Sequence, residues 1–165
     1  MFLFKRKLPS IQPSGSHPMK PSKVDIDALK IMERLRKSGF DAYLVGGCVR
    51  DILLGKKVKD FDVVTNARPG QIKRMFKRCY IVGKRFHLAH VYYSSSQFVE
   101  VATFRAMADS DEERVRKFGK NNVFGTIEED ALRRDFTVNA LYFNSADSSI
   151  IDYTGGFRDL RKKVL

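Results

Sequence analysis

The stretch "LVGGCVRDILLGKKVKDFDVVT", from Leu44 to Thr65, holds two adjacent glycines, an Arg-Asp pair and an Asp-Phe-Asp triplet. Its first residues predict a short buried strand that ends at the glycine pair, and "VRDILLG" predicts one or two helical turns closed by Gly55. "DFDVVT" predicts a second strand. A hydrophobic core does not require this combination, whereas a site for a triphosphate and divalent metal ions would use all of it.

The segments on either side of this stretch predict an α+β fold. A helical pattern runs from Asp25 to a stop near Gly39, and Pro69 can open another helix. A T-x-x-E capping box at Thr126 predicts a helix over 128–141, and a last helix begins near 157. Runs with strand character lie at 79–83, 88–94, 97–104, 141–144 and 149–153. We therefore expect a mostly antiparallel sheet with flanking helices.

Two segments differ from the rest of the chain in composition. Residues 1–23 are rich in Pro, Ser and Lys and lack periodicity, so we expect a mobile basic N-terminal extension before one domain over 24–165. Residues 106–121 are highly charged and predict an exposed loop. The chain start has too few successive apolar residues for a secretory signal or a membrane span. Two cysteines without a metal or disulfide pattern indicate a cytoplasmic protein.

The charge of the chain is strongly positive. It carries 31 basic and 19 acidic residues, a formal net charge of +12. Only five of the basic residues lie within 1–23, so the basic excess belongs to the body of the protein. A basic body indicates a polyanionic partner, of which RNA or DNA comes first. The alternative is a soluble basic protein with no such partner.

Three carboxylates are candidate metal ligands. Because strand side chains alternate between faces, Asp60 and Asp62 share one face, about 7 Å apart, while Phe61 and Val63 point into the core. Two carboxylates in that arrangement suit Mg²⁺, although surface strands also produce this pattern by chance. Glu100 is an acid among apolar strand residues, where it would face a metal or an arginine, or else lie on an edge strand and point to water.

Candidate nucleotide contacts lie near these acids. Gly46 and Gly47 would let backbone amides approach a phosphate, although most such pairs are only tight turns. Arg50 follows one helical turn later, where it can reach a phosphate. Asp51 would orient a neighbouring base or cap the short helix.

A second charged cluster, "RRDF", lies at 133–136 in the predicted helix. There Arg133 and Arg134 would point about 100° apart, so that one can face the nucleotide. Asp135 would hold an arginine or assist chemistry. Taken alone, this cluster could equally be an ordinary solvated group of charges.

Three separated motifs together resemble one family. "LVGGCVRDILLGKKVKDFDVVTNARP", "VEVATFR" and "EEDALRRDFTVNAL" occur in the order and approximate spacing of the class II, polymerase-beta-like nucleotidyltransferases. This family comprises the bacterial CCA-adding tRNA nucleotidyltransferases and the bacterial poly(A) polymerases. The resemblance covers residues 24–165. The run "IVGKRFHLAHV" at 81–91 is similar to the poly(A) polymerase branch.

The resemblance implies both a reaction and the residues that perform it. An RNA 3′-hydroxyl would attack the α-phosphorus of ATP without a template, and pyrophosphate would leave. Two Mg²⁺ ions, held by Asp60 and Asp62, would assist this transfer. The family's catalytic acids would correspond to Asp60, Asp62, Glu100 and Asp135, and its nucleotide contacts to Gly46, Gly47, Arg50 and Arg134.

The chain departs from the family at its end, because it stops before the helical neck, body and tail. We therefore expect a fragment or a truncated product, and self-association through apolar surface of the hairpin "LYFN…SIID" and the closing helix, which the missing half would cover. Three alternatives stay open. They are CCA addition to tRNA, a non-catalytic RNA-binding module, and a small-molecule nucleotidyltransferase.

Overall fold

An eight-stranded sheet forms the centre of the fold. The computed structural model describes residues 8–84, 86–106 and 123–163. The strands are β1 (Ser10–Gln12), β2 (Ala42–Val45), β3 (Asp62–Thr65), β4 (Cys79–Val82), β5 (Leu88–Tyr92), β6 (Phe98–Thr103), β7 (Leu141–Asn144) and β8 (Ser149–Asp152). The helices are α1 (Ile26–Lys37), α2 (Gly47–Leu53), α3 (Pro69–Met75), α4 (Ile127–Leu132) and α5 (Gly156–Lys162), with short 3₁₀ turns at Pro21–Lys23 and Thr137–Asn139.

The strand order across the sheet is β1-β8-β7-β2-β3-β6-β5-β4. Within the described residues, every neighbouring pair is antiparallel except β3 and β6, which run parallel. The expected α+β fold with a mostly antiparallel sheet is therefore confirmed. The exposed edges of the sheet are β1 on one side and β4 on the other.

The helix boundaries follow the predicted signals. The Asp25 carboxylate accepts hydrogen bonds from the backbone N–H groups of Asp27 and Ala28, at 2.9 and 3.2 Å, and so caps α1. Gly39 follows the end of α1 with a φ of +86°, a conformation that glycine adopts without strain. The capping box at Thr126 opens α4 as predicted. None of the helices in the described part of the chain has the length and hydrophobicity needed to cross a bilayer.

The predicted helix over 128–141 is too long. Helix α4 ends at Leu132, and the "RRDF" segment lies in the turn that follows it. The β-branched residues Thr137 and Val138 disfavour helix, and Val138 is buried. The chain also has to turn back here, because the Tyr142 hydroxyl on β7 donates a hydrogen bond to Asp130 of α4.

The prediction of a mobile N-terminal extension is wrong for residues 8–23. Strand β1 pairs with β8 in register, with Ile11 opposite Ile151, and Met19 is only 1% exposed. Without β1, strand β8 would present an unpaired edge. Because strands pair through backbone groups, β1 can cover that edge whatever its own side-chain composition. Residues 1–7 lie outside the described residues. So does the predicted loop over 106–121, apart from Ala106, which is buried.

The two faces of the sheet are packed differently. Leu44, Val63 and Val101 point into the larger hydrophobic cluster, against which α1, α2 and α3 pack. The opposite face carries a smaller cluster that includes Val45 and Val64, together with residues of α4 and β7. Because this second cluster covers less of the sheet, its face has room for polar and exposed side chains.

The buried N-terminal segment gives a testable prediction. We expect Met19→Ala to lower the free energy of unfolding by about 2–4 kcal/mol, because it opens a cavity beside the core. Ile11→Ala is the matched control, since Ile11 lies in the same segment but is 59% exposed. Urea denaturation of both variants measures the difference. Equal stability of the Met19→Ala variant and the wild type would mean that the segment does not pack on the domain.

Candidate active site

Two carboxylates share the second face of the sheet, and a third lies just before β3. The parallel pairing of β3 with β6 places Asp62 and Glu100 opposite each other as Cα partners. Strand partners share a face, so their side chains lie on the same side of the sheet. Asp60 comes just before β3, and all three acids line one cavity of about 370 Å³ with Phe98 and Lys59. The structure thus places three of the four predicted acids around one cavity.

The electrostatics of this cavity favour a bound cation. Asp62 is accessible to solvent, yet the partial burial of its carboxyl group raises the pKa of that group above its usual range. The charges of Glu100 and Asp60 raise this pKa further, whereas the charge of Arg134 lowers it. Glu100 also lies 3.4 Å from His90, measured from Oε2 to Nε2. A divalent cation would relieve the repulsion among the three carboxylates.

The glycine pair lies against these acids. Gly46 has φ +84° and ψ −148°, a conformation that residues with a side chain rarely adopt, and α2 begins at Gly47. A Cβ atom on Gly46 would lie 3.6 Å from Oδ2 of Asp62. A Cβ atom on Gly47 would lie 3.4 Å from Nη2 of Arg50. The turn therefore lets the backbone pass between a carboxylate and a guanidinium group.

Arg50 is held in place beside this turn by two side chains. Its Nε donates to Oδ1 of Asp51 at 2.8 Å, and its Nη1 donates to Oδ1 of Asn139 at 2.9 Å. The hydrogen bond from Arg50 holds the pKa of Asp51 below its usual range. Asp51 therefore orients a neighbouring basic side chain, that of Arg50, which is one of the two roles expected for Asp51. Asn139 comes from the 3₁₀ turn after "RRDF", so Arg50 links α2 to that segment.

A fully buried carboxylate organises the second arginine cluster. Oδ1 of Asp130 accepts hydrogen bonds from Nε of Arg133 at 3.0 Å and from the backbone N–H of Arg105 at 3.1 Å. Oδ2 accepts hydrogen bonds from Nη2 of Arg134 at 3.0 Å and from the Tyr142 hydroxyl at 2.8 Å. Both arginines thus bind one acid, although the sequence predicted that they point apart.

Burial alone would raise the pKa of Asp130. The charges of Arg134 and Arg133, with hydrogen bonds from Arg133 and Tyr142, outweigh burial and bring this pKa below the usual range. Asp130 is therefore ionised in the folded protein. The sequence reasoning missed Asp130, although its spacing of three and four residues from the two arginines was a usable signal.

Asp135 is the one predicted acid that the structure does not bring to the cavity. It is exposed in the turn after α4 and is absent from the described residues that line the cavity. Its catalytic role stays a prediction. In the described ranges, no three His, Cys, Asp or Glu side chains form a ready-made metal site. A Mg²⁺ ion, however, needs only one or two protein carboxylates when waters and substrate phosphates complete its shell.

A cross-strand pair of carboxylates beside a glycine turn, on this sheet, is the arrangement of a nucleotidyltransferase head, and solved structures of that class match the fold. The solved structure of the Bacillus stearothermophilus CCA-adding enzyme in complex with CTP matches with a TM-score of 0.69 and 35% identity, over 87% of this chain and 32% of that one. The family model of the poly A polymerase head domain matches residues 42–165. The chain belongs to this family.

Two curated relatives show the breadth of the family. Poly(A) polymerase I of Salmonella typhi is 48% identical over 164 residues, which cover 94% of this chain and 35% of that protein. The CCA-adding enzyme of Bacillus subtilis is 38% identical over 143 residues, which cover 87% of this chain and 35% of that enzyme. This chain therefore spans about a third of the length of the curated relatives that it matches.

The Asp130 cluster gives a second prediction. We expect Asp130→Asn to lower the free energy of unfolding at neutral pH by about 3 kcal/mol, because it leaves two arginines without their counter-charge. Because the folded-state pKa of Asp130 is depressed, its contribution is present above pH about 4 and is lost as the pH falls through the folded-state value. Urea denaturation at several pH values measures both effects.

Tyr142→Phe is the control for this measurement. It removes the hydrogen bond to Asp130 and the one that the hydroxyl accepts from Nε of Arg134, which also donates to Asp130, and it keeps the charge. We therefore expect a loss of only about 1–2 kcal/mol and a pH profile like that of the wild type. If Asp130→Asn and Tyr142→Phe behave alike, the charge of Asp130 is not what holds the cluster together.

Proposed function

We propose that this chain is the catalytic head of a template-independent polynucleotide adenylyltransferase. It adds AMP from ATP to RNA 3′ ends and releases pyrophosphate. The observation that carries the proposal is the pairing of Asp62 with Glu100 beside the Gly46 turn, in a cavity that Asp60 also lines. The 48% identity to a poly(A) polymerase I supports ATP and RNA as substrates.

The carboxylates fit two Mg²⁺ ions as cofactors. Asp60 and Asp62 would hold them, and Glu100 lies in register to assist the ion nearer the RNA end. Carboxylate oxygens are the hard ligands that Mg²⁺ prefers. Burial raises the pKa of Asp62 and the charges of Glu100 and Asp60 raise it further, so a cation beside these acids would be favourable. When bound, Mg²⁺ would neutralise the triphosphate and make the RNA hydroxyl more acidic.

The basic side chains would bind the triphosphate. Gly46 and Gly47 keep side chains out of the turn that opens α2, and Arg50 is held over Gly47 by Asp51 and Asn139. The positive charge of Arg134 lowers the pKa of Asp62, so the Arg134 guanidinium group lies near that carboxylate. An arginine held in advance loses little freedom on binding, and it can neutralise charge on the departing pyrophosphate. Asp135 is the further acid proposed for this site.

CCA addition to tRNA is the second candidate function. It is supported by the likeness to the Bacillus stearothermophilus CCA-adding enzyme, at 35% identity. The same carboxylates and arginines would serve both reactions, because only the choice of nucleotide and RNA differs. The higher identity to poly(A) polymerase I favours adenylation alone.

The setting of this activity is also a proposal. ATP and RNA are both substrates found in the cytoplasm, and we propose that the protein acts there.

Leu132 and Phe136 are large exposed apolar side chains around the turn after α4. The hairpin on which an apolar surface was expected is itself buried, with Leu141 and Ile150 at 0% exposure. The proposal that the chain associates with a second copy is therefore supported by Leu132 and Phe136 instead.

Primer extension tests the proposed reaction. The chain is incubated with labelled RNA, Mg²⁺ and either ATP or CTP alone. We expect successive AMP additions with ATP only, and at least roughly a hundredfold less product from Asp62→Asn, because a ligand charge at the reacting centre is lost. Glu33→Gln is the control, since Glu33 pairs with Lys37 at an exposed position on α1. Addition of CMP to tRNA lacking its CCA end would move the protein to the CCA-adding branch.

A separate experiment tests the nucleotide contacts. We expect Arg50→Ala to weaken ATP binding by about tenfold or more, because a charge-assisted hydrogen bond to phosphate is lost. Arg50→Lys should restore little, since a lysine cannot hold the Asp51 and Asn139 contacts and a phosphate together. Arg74→Ala, on the exposed side of α3, is the control. Equilibrium binding of a fluorescent ATP analogue measures the affinities, and unchanged binding by Arg50→Ala would remove Arg50 from the site.

A further inference from the structure

A group of aromatic side chains extends from the active site to the edge of the sheet. It consists of Tyr80 on β4, His90 and Tyr92 on β5, and Phe98 on β6, and it is called the aromatic row below. Tyr80 is the Cα partner of His90, and His90 is the Cα partner of Glu100, which in turn pairs with Asp62. The row and the catalytic carboxylates therefore share one face of the sheet.

The rings of the row are in continuous contact. The ring centroids of Tyr80 and Tyr92 are 5.6 Å apart, and those of Tyr92 and Phe98 are 5.2 Å apart. Phe98 and His90 are stacked at 4.0 Å with an interplanar angle of 13°. His90 then contacts Glu100 at 3.4 Å. The row is thus a continuous series of ring contacts that ends at the candidate catalytic acid Glu100.

Two members of the row are open to solvent. Tyr80 is 61% exposed and Phe98 is 40% exposed. Phe98 also lines the cavity that contains Asp60, Asp62 and Glu100. Phe98 therefore joins the aromatic row to the active-site cavity, and a ligand that lies on the exposed rings would also reach the carboxylates.

We propose that the aromatic row binds the unpaired bases at the 3′ end of the RNA by stacking, which rests on the proposed function. Stacking on aromatic rings is how proteins hold single strands of varied sequence, because every base has a π-face. From β4 to β6 the row spans two strand spacings, about 10 Å, which is the length of roughly three stacked bases. The terminal nucleotide then lies beside Glu100, where its hydroxyl reacts.

The surrounding charges fit an RNA strand. Lys59 lines the cavity beside Phe98, and the exposed Arg78 adjoins the row, since its carbonyl accepts a hydrogen bond from the backbone N–H of Tyr92. Such cations can pair with phosphates on either side of the stacked bases. A polymerase without a template meets RNA ends of many sequences, and stacking suits that requirement because it does not select one base.

The chain contains no tryptophan, which permits a direct test. Tyr80→Trp places one fluorophore in the aromatic row. Ile11→Trp is the matched control, because Ile11 is 59% exposed on β1, at the opposite edge of the same sheet. Both variants are titrated with oligoadenylate in EDTA, so that metal-dependent steps play no part. We expect base stacking to quench the fluorescence of Tyr80→Trp and to leave that of Ile11→Trp unchanged.

A second titration separates bases from phosphates. An abasic ribose-phosphate oligomer of the same length carries the charges without the bases, and we expect it to leave the fluorescence of Tyr80→Trp unquenched. Quenching of the two tryptophan variants to the same extent, or by the abasic oligomer, would overturn the proposal. No binding of oligoadenylate by the wild-type chain would also overturn it.

Affinity and kinetics complete the test. We expect Tyr80→Ala to weaken oligoadenylate binding by about 5- to 100-fold, measured by fluorescence anisotropy, and Tyr80→Phe to bind like the wild type because it keeps the ring. In primer extension, Tyr80→Ala should raise the KM for RNA and leave the KM for ATP unchanged. A loss of stability without a change in RNA affinity would mean that the row only packs across strands.

The two proposals can fail separately. If the wild-type chain adds no AMP but Tyr80→Trp is quenched by oligoadenylate, the aromatic row stands as an RNA-binding surface and the adenylyltransferase proposal fails. If the chain adds AMP and neither Tyr80→Ala nor Tyr80→Trp shows the expected effect, the row has no role in binding RNA and the reaction proposal stands.

Discussion

The parallel pairing of β3 with β6 is the constraint on which the rest of the site depends. It is the one parallel contact among the described strands, and it places Asp62 directly opposite Glu100. A parallel pair needs a crossover connection, which here contains α3 and the β4–β5 hairpin. That hairpin then joins the sheet beside β6. The same connection that aligns the acids therefore also carries Tyr80 and His90 to them.

A second constraint positions the cationic side of the site. Asp130 of α4 binds Arg134 and the Tyr142 hydroxyl of β7, so the helix and the sheet are joined through one ionised carboxylate. Arg50 is joined to Asn139, which lies between α4 and β7 in the chain. Both arginines are thus held by contacts within the protein itself. If a triphosphate binds there as proposed, such a site would need little rearrangement.

Local patterns in the sequence were enough to predict most helices and strands and the placement of Asp60, Asp62 and Glu100. The cap at Asp25, the stop at Gly39 and the alternation around Asp62 depend on neighbours in the chain, and each predicted the structure correctly. The errors concern contacts between distant residues. Pairing of β1 with β8 spans almost the whole chain, and the Asp130–Tyr142 hydrogen bond joins α4 to a strand beyond the turn that ends the helix. Neither contact leaves a periodic signal.

The core of the protein also enforces the register of the site. On β6, Val99 and Val101 point into the large hydrophobic cluster, while Phe98 and Glu100 point to the open face. A shift of one residue in the pairing would bury Glu100 in that cluster and expose both valines. The cost of burying an unpaired carboxylate, added to the lost apolar burial, makes this shift unfavourable. The same alternation that stabilises the fold therefore keeps the third acid next to Asp62.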